Sequence, residues 1–189
     1  MNETLRSIYD RWSVRKFKDE KVPVDVINEI LKAGLHAANG MNRQAVRFAV
    51  IEDKEMIKKY NRKAITLFAE MARAAGQPNP MAERMAGDPD ADIFYGAPGI
   101  VFVFTAPDAV TPVEDGALAV GNMMLAAHSL GYGTCFIGFA AGLGQDPEFL
   151  AEMDVPEGHR YIACMILGRP DGDVERRPRP DVKVLKWVK

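Results

Sequence analysis

No excess of charge of either sign marks the 189-residue chain: 24 Lys and Arg stand against 26 Asp and Glu, for a formal net charge of -2. So even a balance gives no global field to gather nucleic acid or an anionic membrane surface, and small molecules are the expected partners. Cysteine is nearly absent. Cys135 and Cys164 each sit inside an apolar segment, with no CxxC pair and no His at metal-ligand spacing, which leaves no disulfide framework or metal set and points to a reducing compartment. No apolar stretch is long enough to span a bilayer, and Met1-Asn2-Glu3-Thr4-Leu5 is not a basic start followed by an apolar run; a soluble, cytoplasmic chain is expected. No Gly-x-Gly-x-x-Gly follows a strand pattern, which excludes a dedicated dinucleotide-binding domain. No linker or charge block interrupts residues 1–189, so one domain around one substantial core is expected.

What is present is strongly patterned. Leu5, Ile8, Tyr9 and Trp12 recur at helical spacing and predict a short amphipathic helix over 3–12 that ends near Ser13. Pro23, with its fixed φ and missing N–H, suits the first turn of a second helix carrying Val26, Ile27, Ile30, Leu31 and Leu35. Phe48 to Ile51 reads as a strand, and Asp53 as the N-cap of a helix with Ile57, Tyr60, Ala64, Phe68 and Met71. The Gly-, Pro-, Asn- and Asp-rich stretch from Gly76 to Pro89 predicts a long excursion with one helical turn, and the wider segment 63–91 is placed as a lid. Gly99 to Phe104 is a continuous β-branched and aromatic run, expected to be the central strand, covered on both faces. A buried helix over 114–130 stops at Gly131; strands are expected over 134–139 and 161–167, with Asp146-Pro147 opening a short helix between them. The tail, 169–189, is basic and proline-rich yet ends on Val182, Val184, Leu185, Trp187 and Val188, which want a surface to pack on. Helices and strands interspersed in this order give an α+β sandwich with a mixed, mostly antiparallel sheet flanked by helices.

Four separated segments carry chemistry. Arg11-Trp12-Ser13-Val14-Arg15-Lys16-Phe17 follows the first helix; on its own such a run is more often a solvated basic turn. Ala37-Ala38-Asn39-Gly40-Met41-Asn42-Arg43-Gln44-Ala45-Val46 joins a helix to a strand and, alone, is an ordinary connection. Asp115 to Leu130 runs into Gly131-Tyr132-Gly133-Thr134-Cys135-Phe136-Ile137-Gly138. The tail holds Gly168-Arg169-Pro170 and then Arg176-Arg177-Pro178-Arg179.

In this order the four segments resemble the nitroreductase family over nearly the whole chain. The first matches its Arg-x-Ser-x-Arg/Lys-x-Phe signature. The second matches its small-residue loop with Asn-x-Gln, although Ala45-Val46 replaces the usual Pro-Trp, and the third is close to its Gly-x-Gly-Ser/Thr-Cys-Trp-Ile-Gly, with Phe136 in place of Trp. The resemblance implies a homodimeric FMN-dependent enzyme taking electrons from NADH or NADPH by a ping-pong route and passing them to nitroaromatics, quinones or similar acceptors. It implies that Arg11 and Ser13, with Trp12 between them, bind the FMN phosphate, where a guanidinium offers a bidentate fork. Arg15 then sits by the pyrimidine edge, where a cation stabilises charge on the reduced flavin. Ala38, Asn39, Gly40, Asn42 and Gln44 would cover the partner subunit's flavin. Cys135, Phe136, Ile137 and Gly138 would face N5 and O4, the last two through backbone amides. Arg177 and Arg179 would return to the phosphate as the tail wraps the other subunit, and His128 is expected to be a structural residue. Two alternatives stand beside this reading: a reductive dehalogenase of the same fold, for which Tyr60, Lys63 and Glu70 occur without a matching motif, and a flavin binder without turnover.

Overall fold

The computed structural model describes residues 1–76, 79–173 and 178–189. Its centre is a four-stranded sheet in the order β1-β2-β4-β3, formed by Val46–Ile51 (β1), Gly99–Thr105 (β2), Gly133–Phe136 (β3) and Arg160–Gly168 (β4). All three strand pairings are antiparallel; the parallel component is one isolated bridge between Ser13 and Thr134. β2 is fully buried along its length, as its unbroken apolar run requires.

Alternation along β2 and β4 divides the core in two. Ile100, Phe102, Phe104, Cys164 and Ile166 point to one side, with Tyr60, Ile65, Phe94, Leu143 and Phe149. Val101, Val103, Ala163, Met165 and Leu167 point to the other, with Ile27, Ile30, Ala119 and Met123. A period of two along a strand produces this division. Helices Lys54–Ala74 (α3) and Pro147–Glu152 (α6) supply the first side; Val24–Leu35 (α2) and Pro112–Ser129 (α5) supply the second.

Several local expectations need correcting. The first helix, Glu3–Asp10 (α1), buries none of its residues in the single chain: Leu5, Ile8 and Tyr9 are exposed. The excursion is more ordered than its composition suggests, because Asn79 caps a second helix, Pro80–Gly87 (α4), by accepting from Met81 and Ala82 N–H. A fork from Arg73 to Glu83, at 2.7 and 2.8 Å, ties α4 back to α3. Asp146 precedes α6, but its carboxylate makes no cap bond and lies 3.3 Å from Lys63 instead. β3 is shorter than expected; after Ile137 the chain turns into a 3₁₀ segment, Gly138–Gln145. Among the described residues, no helix is long and apolar enough to cross a membrane.

Candidate functional site

After α1 the chain runs along the β3 edge of the sheet. Val14 N–H donates to Thr134 C=O at 2.9 Å, and Phe17 bridges Pro170. Lys18 N–H donates to Arg169 C=O and Asp171 N–H to Lys16 C=O, both at 3.0 Å. The segment therefore lies between β3 and the start of the tail. Gly133 makes the approach possible: a Cβ there would lie 2.5 Å from Val14 Cγ2. Lys16 Nζ is 2.9 Å from Asp171 and, by hydrogen bonding, holds that carboxyl below its ordinary value.

The basic side chains gather around this frame. Arg11, Trp12, Ser13, Arg15, Lys16 and Arg179 line one cavity of about 630 Å³, with Asp171 and Asp173 at its wall. Arg179 reaches it from the tail, its guanidinium 4.8 Å from the Trp12 ring centroid. Arg15 is exposed and stacks 5.9 Å from the centroid of Tyr95. Tyr95 has a φ of 56°, held by Asp92, whose carboxylate accepts from Phe94 and Gly96 N–H on either side. Arg177 lies outside the described residues, as does Arg176.

Unmet polar groups point to a ligand. Arg11 Nη1, Trp12 Nε1 and Thr134 Oγ1 are buried with no hydrogen-bond partner among the described residues. A buried donor left in this state costs about 1–3 kcal/mol, so an anionic group bearing several acceptor oxygens suits the place. Thr134 also lines an adjoining cavity of about 480 Å³ with His128, Tyr132, Arg11 and Trp12. Sequence reasoning gave Thr134 no role and His128 a structural one. The available signal was the Gly-x-Gly-Thr spacing, which exposes the edge of β3 to the segment 11–15.

The other expected residues fall into two further groups. Phe136 is 48% exposed and Gly138 is exposed beside it. The side chains of Cys135 and Ile137 are buried in the core, and Ile137 N–H donates to Cys164 C=O at 2.8 Å; the backbone donor expected at Ile137 is therefore spent within the sheet, and the Cys135 thiol is not a contact. Ala38, Asn39 and Gln44 line a small cleft of their own with Val46 of β1, the edge strand opposite β3, and with Gly40 and Asn42 they do not share the cavity of Arg11. Tyr60 and Lys63 are already committed. Tyr60 is fully buried with its hydroxyl on Glu152, and Lys63 lies 3.3 Å from both Asp146 and Glu148.

Comparison with known proteins fits this arrangement. A model described as the nitroreductase family matches residues 8–169. The chain belongs to the nitroreductase family. An FMN reductase of Bacillus subtilis that uses NAD(P)H is 26% identical over 191 residues, covering 95% of this chain and 70% of that one. An iodotyrosine deiodinase of Thermotoga neapolitana is 27% identical, covering 95% and 97%. Among solved structures, a nitroreductase with bound FMN from Bacteroides fragilis superposes with a TM-score of 0.85 at 28% identity, each chain covered completely. The nitroreductase fold expected from the sequence is therefore present, α+β with an antiparallel sheet.

Proposed function

We propose that the chain is an FMN-dependent oxidoreductase that draws electrons from NADH or NADPH and delivers them to nitroaromatics, quinones or similar electron-poor acceptors. One observation carries the reading: a cavity lined by Arg11, Ser13, Arg15, Lys16 and Arg179, with Arg11 Nη1 and Trp12 Nε1 buried and without a hydrogen-bond partner among the described residues. When bound, FMN would supply hydride acceptance and release, in alternating half-reactions with donor and acceptor using one pocket in turn.

The chain's own residues have separable tasks. Arg11 forks onto the phosphate and Ser13 adds a hydroxyl; Arg179 closes on the same group from the tail, stacked on Trp12. Arg15 lies on the rim of the cavity, placed to offset negative charge at the pyrimidine edge. Exposed backbone at Phe136 and Gly138 offers donors that do not titrate. The cover for the ring is the loop of Ala38, Asn39, Gly40, Asn42 and Gln44 of a second copy. Support for the homodimer comes from apolar side chains left exposed: Leu5, Ile8 and Tyr9 on α1, Val113 and Leu118 on α5, and Leu185 and Trp187 in the tail. The lid is the α3–α4 hairpin, where Met71 and Met81 are exposed and Phe68 packs on Phe139 at 4.9 Å. Adaptable thioethers there suit acceptors of varied shape.

The deiodinase relative keeps dehalogenation as a second reading, but the commitments of Tyr60 and Lys63 to α6 leave them unsuited to clamp a zwitterion. Anaerobic visible spectra test the assignment. NADH or NADPH should bleach the bound flavin, and a nitroarene should restore its colour. Bound flavin that neither nucleotide bleaches would make the protein a binder, and a colourless protein that FMN cannot reconstitute would end the proposal.

A further inference from the structure

Asp115, in the first turn of α5, is a charged side chain only 1% exposed and lies outside the lining of the Arg11 cavity. Its Oδ1 accepts from Gly40 N–H at 2.8 Å and from Thr111 Oγ1 at 2.7 Å; its Oδ2 is buried with no partner among the described residues. A carboxylate is kept in such a place at a desolvation penalty, so what it holds matters. It holds the root of the loop from Asn39 to Gln44. That loop carries Met41, Asn42 and Gln44 at φ of 51°, 54° and 54°, a conformation that is unfavourable for Met and Gln and tolerated best by Asn. The constraints are visible. Asn39 Oδ1 accepts from Gln44 N–H at 2.9 Å, Arg47 Nη1 donates to Gln44 C=O at 2.9 Å, and Asp115 pins Gly40. Gly40 itself has no room for a side chain, since a Cβ would lie 2.5 Å from Thr111 Oγ1, the hydroxyl that shares the Asp115 oxygen.

We infer that Asp115 is a positioning residue for cofactor binding: with Thr111 it fixes the height and shape of the 39–44 loop, and so the fit of that loop over the flavin. The inference rests on the reading of that loop as a flavin cover. It assigns Asp115 no contact with the cofactor; its effect passes through Gly40. Two different perturbations of one latch should then act alike. Asp115→Ala removes the acceptor, and Gly40→Ala leaves the acceptor but drives a methyl into the Thr111 hydroxyl.

The test is the FMN dissociation constant of the purified protein, read by flavin fluorescence, alongside the melting temperature of the FMN-free form. D115A and G40A should each weaken FMN binding about tenfold, the loss expected when a charge-assisted acceptor serving two donors is removed. D115N, which keeps a carbonyl oxygen for both donors, should stay within about threefold of the parent. A purely structural residue would lower the melting temperature and leave the FMN constant unchanged, and that result overturns the inference; so does D115N as weak as D115A. If D115A does not fold, G40A decides. Asn42→Ala and Arg11→Ala separate the premises. If both loosen FMN while D115A and G40A do not, the latch is wrong. If only Arg11→Ala does, the loop is not a flavin cover and the inference falls with it, and if neither does, the cofactor site itself is misassigned.

Discussion

The guanidinium of Arg179 lies 4.8 Å from the centroid of the Trp12 ring, joining residues from opposite ends of the chain across one cavity. An arginine stacked on an indole is held in place without using its N–H donors, which stay free for a ligand. Trp12→Ala should therefore weaken FMN binding about two- to fivefold, in line with the loss of a cation–π contact at a partly exposed site. Trp12→Phe, which keeps a ring for Arg179 but loses the Nε1–H donor, should fall between Trp12→Ala and the parent. Fluorescence titration checks both, and equal affinity for Trp12→Ala and the parent would show that Arg179 needs no such support.

Arg11 and Arg15 should fail differently when replaced. Arg11 Nη1 is buried with no hydrogen-bond partner among the described residues, so Arg11→Ala should release FMN, by about tenfold or more in the dissociation constant. Exposed Arg15 contributes little to retention, and Arg15→Ala should instead move the flavin midpoint potential to more negative values. Spectroelectrochemical titration of the reconstituted variant reads the shift. An unchanged potential would remove Arg15 from the pyrimidine edge.

The contact between α3 and α6 should show in the pH dependence of stability. Lys59 Nζ lies 2.6 Å from Glu152 and 3.0 Å from Glu148, and its hydrogen bonds hold both carboxyls below their ordinary value. A carboxyl lowered in the folded state gives stability that is complete above its unfolded value and lost as pH falls through the folded one. Tyr60 acts at the other end. Burial first, then its hydrogen bond with Glu152, pushes it up to about 12 from 10.0. The unfolded chain then loses this proton first, so stability declines as pH rises from about 10 toward about 12. Melting temperatures followed across both limits should show the acid limb flattened in the Glu148→Gln, Glu152→Gln pair and the alkaline limb flattened in Tyr60→Phe. Parent-like curves in both variants would exclude the contact as a source of pH dependence.

Gly133→Ala should damage stability and binding together. The new methyl would meet Val14 Cγ2 at 2.5 Å and Val14 Cβ at 2.7 Å, and overpacking of this kind costs about 1–3 kcal/mol. The melting temperature should fall by about 2–10 °C. Because the displaced strand carries Arg11 and Ser13, FMN affinity should fall as well; a stable variant with parent-like affinity would mean that the segment can shift without consequence.

Much of this was legible in the sequence where local chemistry and tertiary packing agree. The apolar run of β2 has one solution, a strand covered on both faces, and Asp53 does cap α3 by accepting from Met56 N–H. The 11–17 segment had meaning only beside Gly133 and Thr134, because three basic residues in seven describe a surface turn as well as they describe a site. Competing signals account for the rest. Asn79-Pro80 reads as a turn as readily as it reads as the cap and first residue of α4. Asp146 looked like a cap and answers to Lys63. Asp115 passed as one of two acidic residues in a helix's first turn, and no spacing could show that its partner is Gly40. The apolar faces of α1 and the tail were readable, but within one chain they stay exposed, and pattern alone names no surface to cover them.

The cavity of Arg11 and Ser13 is also bounded by Asp171, Asp173 and Arg179, so its walls come from segments that are far apart in the chain and are made at different times. A nascent chain makes the segment 11–15 long before β3 and Arg179, so the cavity cannot close until Arg179 has emerged. With the proposed phosphate site there, FMN loading should wait for Arg179, and a product truncated before it should bind FMN weakly.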